Sequence, residues 1–267
     1  ESMIKKLYNQ CDRLLVLEEG YPFIEYQLTG ILGSNKKISG RLDGSLPRDG
    51  ELNPLLVAKA LDLPVVKTYQ VPSIMVNRPP ALCKGCGHVD LYLALNEALG
   101  DLEKGRVFSD IGCYTLGALP PFESISSCVD MGASITMAKG AADAGLNPSV
   151  CVIGDSTFTH SGMTGLLDAV IEKTPMTIII SDNSTTGMTG GQTSSATGRL
   201  MDICLGIGVE KEHLQTIEPL KLKHQQNVNI IRDELDYRGV SVIIAQRECV
   251  QTAVRRKKME KAMQDKN

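Results

Sequence analysis

Two apolar runs, SVCVIGDS (149–156) and MTIIISDN (176–183), indicate the fold. Each run ends in a short polar turn. Short runs rich in β-branched residues are typical of strands buried on both faces of a parallel sheet. Ligands of such open sheets bind beyond the carboxyl ends of the strands. We therefore expect a binding site where Asp155 and Asn183 follow their strands, provided that the two strands are neighbours.

Strands and helices alternate around these two runs. The pattern predicts strands over 106–109, 149–153, 176–181 and 240–245, and helices over 89–99, 132–145, 161–172, 198–207 and 219–235. Such alternation implies β-α-β crossovers. The predicted fold class is therefore α/β, a mainly parallel sheet with helices on both faces.

The first part of the chain forms a separate pattern. It predicts helices over 3–11, 22–32 and 53–62, a strand over 13–18 and a loop-rich stretch over 36–54. An extended, proline-punctuated stretch follows, with Pro72, Pro79 and Pro80, and sequence of this kind commonly links domains. We therefore place a domain boundary near residue 70, giving a smaller α/β domain and linker over 1–70 and the main domain over 71–267.

The composition excludes several classes of protein. A net charge of −3 and the absence of Trp argue against a nucleic-acid-binding protein. There is no apolar run long enough for a membrane span, and the first residues lack the apolar core of a secretory signal. We expect a cytoplasmic protein whose eight cysteines are thiols or metal ligands instead of disulfides.

The polar turns have the chemistry of a metal and phosphate site. The Asp155 carboxylate and the Asn183 amide oxygen suit Mg²⁺, which prefers a few protein oxygens together with phosphate oxygens. Gly154 lets a phosphate approach the backbone closely, and amides near Gly187 and Gly190-Gly191 would donate to the same group. The alternative is two ordinary turns, in which Asp and Asn are common.

Four of the cysteines share a pattern. Cys83 and Cys86 form a Cys-x-x-Cys pair, which by itself fits zinc, redox and iron–sulfur sites alike. Cys113 and Cys249 each follow a predicted strand at its carboxyl end. Three elements would thus bring four thiols to one edge of the sheet, as a [4Fe–4S] cluster requires. Buried structural thiols are the alternative, and we expect that role for the remaining cysteines: Cys11, Cys128, Cys151 and Cys204.

Two histidines lie near these motifs. His88 follows the Cys-x-x-Cys pair and is the candidate catalytic residue, for orienting substrate or transferring a proton. An ordinary loop histidine is the alternative. His160, six residues past Gly154, is a candidate near the same site, although we expect it at the surface, at the start of a helix.

Longer stretches resemble the large subunit of the indolepyruvate:ferredoxin oxidoreductases, a branch of the 2-oxoacid:ferredoxin oxidoreductase superfamily. The resemblance covers about residues 75–250 and rests on DNSTTGMTGGQ (182–192), GCYTLG (112–117) and MGASI (131–135). Thiamine-diphosphate enzymes share the underlying motif, a Gly-Asp-X turn followed one strand later by Asn. Residues 1–67 resemble the end of a Rossmann-like domain that lies between two domains of that family.

The resemblance implies a set of cofactors and their ligands. Asp155, Asn183 and the backbone carbonyl of Thr185 would hold Mg²⁺, and Cys83, Cys86, Cys113 and Cys249 would hold a [4Fe–4S] cluster. Thiamine diphosphate would contact Gly132, Ala133, Gly154, Asp155, Ser156, Asn183, Thr185, Gly187, Met188, Gly190, Gly191 and Gln192.

The resemblance also implies a reaction and partners. An aryl-pyruvate such as indolepyruvate would be oxidatively decarboxylated to an acyl-coenzyme A, with electrons passing through the cluster to ferredoxin. The family's activating Glu belongs to a pyrimidine-binding domain that we cannot place in this sequence. We therefore expect a fragment or one part of a complex with a second subunit, with little turnover on its own. A non-oxidative thiamine-dependent decarboxylase and a non-catalytic cofactor-binding scaffold remain alternatives.

Overall fold

The computed structural model describes residues 2–32, 37–65, 72–76, 78–102 and 105–264. Contacts within the chain divide it into two compact units, residues 1–77 and 78–267. The boundary predicted near residue 70 lies outside the described residues. Among those described, no helix is long and apolar enough to cross a membrane.

The first unit is a small α/β arrangement. Its elements are α1 (Ser2–Gln10), β1 (Arg13–Leu15), α2 (Phe23–Ile31), β2 (Lys37–Ser39) and α3 (Pro54–Ala60). Strands β1 and β2 pair in parallel across α2. The sequence did not predict β2, because its three residues lie in a stretch dominated by glycine and proline, and β1 is shorter than the predicted 13–18.

The second unit contains the main sheet. Its helices are α4 (Gly87–Leu99), α5 (Ala133–Asp143), α6 (Asp155–Thr157), α7 (Met163–Glu172), α8 (Leu200–Ile207), α9 (His224–Asp236) and α10 (Val250–Gln264). Its strands are β3 (Val107–Ser109), β4 (Ser127–Cys128), β5 (Val150–Gly154), β6 (Met176–Asp182), β7 (Thr185–Thr186), β8 (Gln192–Thr193), β9 (Leu214–Ile217) and β10 (Val240–Gln246). A π-helical turn, Phe158–Gly162, joins α6 to α7, so this helical segment begins earlier than the predicted 161–172.

Six strands form one parallel sheet in the order β4-β3-β5-β6-β10-β9. All seven residues of β6 are buried, as expected for a strand covered on both faces. The short antiparallel pair β7 and β8 lies outside this sheet. Neighbouring β5 and β6 satisfy the condition on which the predicted site depended.

The two faces of the sheet have separate apolar cores. One face packs α5, α7 and α8 against side chains such as Ile153 and Ile178. The other packs α4 and α9 against the alternate positions, such as Val152 and Ile179. The α/β fold class with helices on both faces is therefore confirmed.

Candidate functional site

Four strands of the sheet end beside one another at its carboxyl edge. Gly154, the last residue of β5, pairs with Ser181 of β6, so Asp155 and Asn183 leave neighbouring strands at the same level. Strands β3 and β10 flank this pair, and Cys113 and Cys249 follow them. The edge therefore gathers the carboxylate, the amide and two of the thiols selected from the sequence.

The carboxyl group of Asp155 is buried and only partly satisfied. Its Oδ1 accepts a hydrogen bond of 2.7 Å from the backbone N–H of Ser156. Its Oδ2 is buried and has no hydrogen-bond partner within the described part of the chain. Burial, with the nearby charge of Asp182 as a lesser cause, raises the pKa of Asp155 to about 6. A cation at Oδ2 would supply the missing partner.

The amide of Asn183 closes the turn opposite Asp155. Its Oδ1 accepts a hydrogen bond of 3.1 Å from the backbone N–H of Thr185. Asp182 precedes it and is also buried, with Oδ2 accepting a 2.9 Å bond from Gln246. Two buried carboxyl groups therefore lie at adjacent strand ends, an arrangement that favours a bound cation.

A cavity of about 290 Å³, here called the Asp155 cavity, opens at this edge. Many of the predicted cofactor residues line it: Gly154, Asp155, Ser156, Asn183, Thr185, Gly187 and Met188. Ser156 and Thr186 join its two sides through a 2.8 Å hydrogen bond between their hydroxyl groups. Seven of the twelve residues predicted to contact a cofactor thus line one cavity.

The other predicted cofactor residues lie around this cavity without lining it. Gly132 and Ala133 begin α5, where Gly132 has a φ of 92° and its position leaves no room for a Cβ beside Ser161. Gly190 and Gln192 belong to the turn and the strand between Thr189 and Thr193. Gly191 lines the neighbouring cavity described below. Their contacts with a cofactor remain predictions.

The Gly154 backbone is packed against a side chain. A Cβ at this position would lie 2.5 Å from Cε1 of Tyr114, so glycine is required to admit the tyrosine ring. The sequence suggested a different reason, close approach of a phosphate. The ring of Tyr114 lines the Asp155 cavity and forms part of its wall.

A buried carboxyl group holds this wall in place. Asp110 follows β3 and accepts hydrogen bonds from the hydroxyl groups of Tyr114 and Ser134 and from the backbone N–H of Gly132. Burial raises the pKa of Asp110, although these donors oppose the shift. Asp110 and Tyr114 were not predicted from the sequence as site residues. The position of Asp110 directly after a predicted strand was the available signal.

All four of the selected thiols, Cys83, Cys86, Cys113 and Cys249, line a second cavity of about 260 Å³. We call it the cysteine cavity. Asn183 and Gly187 line both cavities, so the two are adjacent. In the described residues, no three Cys, His, Asp or Glu side chains are grouped closely enough to hold a metal ion. The thiols thus share a cavity without forming a closed ligand set.

Burial sets the state of these thiols. It raises the pKa of Cys86 to about 11, and the other three thiols add smaller contributions in the same direction. Burial likewise raises the pKa of Cys113. The neutral thiol is therefore favoured at both positions, and a cation would be needed to stabilise the thiolates together.

His88 is buried in the first turn of α4, and its ring borders the cysteine cavity. Nδ1 lies 3.0 Å from Sγ of Cys86, and burial lowers the pKa of His88 to about 4. The imidazole is therefore neutral near pH 7. By contrast, His160 is exposed, as predicted, and lies in the π-helical turn.

The expectation that the remaining cysteines are core thiols is only partly right. Cys151 and Cys204 are fully buried. Cys128 is exposed, because it ends the two-residue edge strand β4, and Cys11 is partly exposed. For these two residues the expectation was wrong.

Two arginines border the cysteine cavity and were not selected from the sequence. Arg247 bridges Asp90 and the carbonyl of Pro219 at 2.6 and 2.7 Å. Arg255 of α10 donates a 2.9 Å bond to the carbonyl of Gly190. It therefore ties the basic C-terminal helix to the glycine-rich turn.

Comparison with known proteins agrees with this geometry. Residues 110–206 match the family described as thiamine pyrophosphate enzyme, C-terminal TPP binding domain. The match begins at Asp110 and includes the Asp155 cavity. It does not reach the Cys-x-x-Cys pair or Cys249.

Longer relatives match almost the whole chain. It is 32% identical to the indolepyruvate oxidoreductase subunit IorA of Archaeoglobus fulgidus and 29% identical to that of Pyrococcus abyssi. The alignments cover 93% and 92% of this chain but 43% of each relative, so the chain spans less than half their length. The resemblance noted in the sequence is confirmed.

A solved structure supports the fold. The 2-oxoglutarate:ferredoxin oxidoreductase from Magnetococcus marinus aligns with a TM-score of 0.53 at 20% identity, over 65% of this chain and 66% of that one. At this identity the likeness concerns the fold alone. It agrees with the parallel α/β sheet described above.

Proposed function

We propose that this chain binds thiamine diphosphate with Mg²⁺ at the Asp155 cavity. The premise is that the chain carries a thiamine-diphosphate-binding domain of the 2-oxoacid:ferredoxin oxidoreductase family. One observation carries the proposal. The buried Oδ2 of Asp155 lacks a partner at a strand end where an oxygen-preferring cation would provide one.

The residues present fit a metal and a diphosphate. Asp155, Asn183 and the carbonyl of Thr185 would hold Mg²⁺, and the remaining positions of the metal would be free for phosphate oxygens. Backbone amides of the turn from Gly187 to Gly191 would donate to the diphosphate. Tyr114 would form the wall of the site beside the Asp155 turn, because its ring occupies the space beside Gly154.

Bound thiamine diphosphate would supply the carbon nucleophile and the electron sink for decarboxylation of a 2-oxoacid. The chain's own part is to place the cofactor and to restrict access of water to it. Neither Asp155 nor His88 would transfer a proton to substrate. The activating carboxylate would come from a pyrimidine-binding domain. That domain would complete the active site.

The four thiols favour an oxidative reaction over a non-oxidative one. Cys83, Cys86, Cys113 and Cys249 line a cavity that adjoins the Asp155 cavity, as ligands of a [4Fe–4S] cluster beside the cofactor would. Electrons would leave through this cluster to ferredoxin, and coenzyme A would accept the acyl group. By likeness to the IorA relatives, the substrate would be an aryl-pyruvate such as indolepyruvate.

Binding measurements test the cofactor site directly. Calorimetry with thiamine diphosphate, with and without Mg²⁺, should show metal-dependent binding that Asp155→Ala weakens by more than about tenfold, or about 1.4 kcal/mol. Asp202→Ala, which removes an exposed carboxyl of α8, is the matched control and should bind as the parent does. Unchanged binding by a folded Asp155→Ala protein would rule out the metal assignment.

An activity assay tests the reaction and the substrate. The protein should be prepared anaerobically with its partner subunits and supplied with coenzyme A and oxidised ferredoxin. Indolepyruvate, pyruvate and 2-oxoglutarate should be compared, and we expect ferredoxin reduction to be fastest with indolepyruvate. Release of CO₂ without ferredoxin reduction would instead indicate a non-oxidative decarboxylase.

A further inference from the structure

His88 occupies a position where an apolar side chain would be expected. The buried residues of α4 include His88, Leu91, Tyr92 and Leu95, which recur at the spacing of one helix face. This face packs into the apolar core shared with α9. Burying a polar ring among these apolar side chains destabilises the folded protein unless the ring has hydrogen-bond partners.

Only one of the two ring nitrogens has such a contact in the described structure. Nδ1 lies 3.0 Å from Sγ of Cys86, whereas Nε2 is buried and has no hydrogen-bond partner among the described residues. The ring is held at this contact because Cys86 is the N-cap residue of α4 and His88 lies in its first turn. The geometry therefore directs the imidazole at the thiol.

The direction of the hydrogen bond depends on the state of Cys86. A free thiol can donate or accept, but a metal-bound thiolate has no proton and can only accept. A neutral imidazole beside such a thiolate would therefore carry its proton on Nδ1. Nε2 would then hold the lone pair, which leaves no buried N–H group without an acceptor.

We propose that His88 is a positioning residue that donates its Nδ1–H to Sγ of Cys86 and thereby raises the reduction potential of an iron–sulfur centre held by that thiol. A donor near a thiolate offsets negative charge, and the charge is larger in the reduced centre. The inference rests on the proposed function, because that function supplies the centre. It replaces proton transfer to substrate as the role of His88.

Redox titration of the anaerobically prepared holoenzyme, followed by electron paramagnetic resonance, tests this role. His88→Leu removes the donor and keeps an apolar side chain on the buried face of α4. His88→Asn keeps an amide nitrogen near the position of Nδ1. The signal that disappears in Cys249→Ser identifies the centre bound by these thiols, and iron content is measured for every protein.

We expect His88→Leu to retain iron while the reduction equilibrium of this centre shifts about tenfold towards the oxidised form. For a one-electron couple that shift is about 59 mV towards lower potential. His88→Asn should recover most of it. An unchanged potential in an iron-loaded His88→Leu protein would overturn the inference, as would loss of iron from both His88 variants. Absence of iron from the parent protein would instead refute the proposed function.

Discussion

The hydroxyl group of Tyr114 donates a hydrogen bond to Oδ1 of the buried Asp110 carboxyl group, and the Tyr114 ring lines the Asp155 cavity. Asp110 also accepts bonds from Gly132 and Ser134 at the start of α5. One carboxyl group thus joins the end of β3 to a helix on one face of the sheet. The backbone of the tyrosine is fixed as well, because Tyr92 donates a 2.6 Å bond to its carbonyl.

Removing the Tyr114 hydroxyl should destabilise the protein. Tyr114→Phe deprives a buried carboxyl group of a donor, and we expect the free energy of unfolding to fall by about 1–3 kcal/mol. Urea unfolding measures the change. Tyr237→Phe is the control, because its hydroxyl bond to Glu210 is exposed and its loss should cost about 0.5 kcal/mol or less. Equal effects of the two substitutions would contradict a special role for the Asp110 contact.

Adding a methyl group at Gly154 should disturb both the fold and the cavity. The new Cβ of Gly154→Ala would lie 2.5 Å from the Tyr114 ring, and overpacking of this kind costs about 1–3 kcal/mol. Because the displaced ring lines the Asp155 cavity, binding of thiamine diphosphate should weaken too. Thermal unfolding and calorimetry measure the two effects.

Gly140→Ala is the matched control for that substitution. Gly140 lies in the middle of α5 with nothing within 4 Å of its built Cβ. The alanine should stabilise the helix by about 0.5–1 kcal/mol and leave cofactor binding unchanged. If Gly154→Ala proved as harmless as Gly140→Ala, the Tyr114 ring would not be what requires glycine.

The stability of the metal-free protein should depend on the protonation of Asp155. Its pKa of about 6 in the folded protein lies above the value of about 3.9 for an unfolded aspartate, so folding favours the protonated form. The stabilisation is complete below about pH 4 and is lost as the pH rises to about 6, by about 2–3 kcal/mol in total.

Urea unfolding between pH 4 and pH 7 measures this loss. Asp155→Asn carries no charge in either state, so its stability should change less over this range than that of the parent. Asp202→Asn removes an exposed carboxyl group and should keep the parent's profile. Parallel profiles for the parent and Asp155→Asn would show that the buried carboxyl is not the titrating group.

The sequence located the strands that are buried on both faces but not those at the edges. Strands β5, β6 and β10 are continuous apolar runs because helices cover both of their faces. Strand β9 lies at the sheet edge, and only its first and last residues are buried, so its pattern is weak. Strand β4, at the other edge, has two residues and gives no periodicity at all.

Some residues of the candidate site could likewise be predicted from the sequence, and others could not. Residues that follow strands, such as Asp155 and Asn183, were predictable because parallel strands end at a common edge. The contacts of Asp110 with Gly132 and Ser134 were not predictable, because these residues begin a helix that only the folded chain brings beside β3. Burial of His88 was also missed, since the helix was predicted to begin at residue 89, whereas α4 begins at Gly87 and includes His88.

Removing one thiol from the cysteine cavity should lower the iron content of the protein. If Cys249 is a cluster ligand, Cys249→Ser should lose most of the four irons that a [4Fe–4S] centre holds, because three thiolates bind the cubane less tightly. Iron and sulfide analysis of anaerobically prepared protein, with the visible absorption of the cluster, gives the result. Cys128→Ser is the control. Because Cys128 is exposed and does not line the cysteine cavity, this variant protein should retain all of its iron. Full iron content in Cys249→Ser would show that Cys249 is not a cluster ligand. Equal losses of iron in both variants would indicate general instability of the preparation instead of a lost ligand.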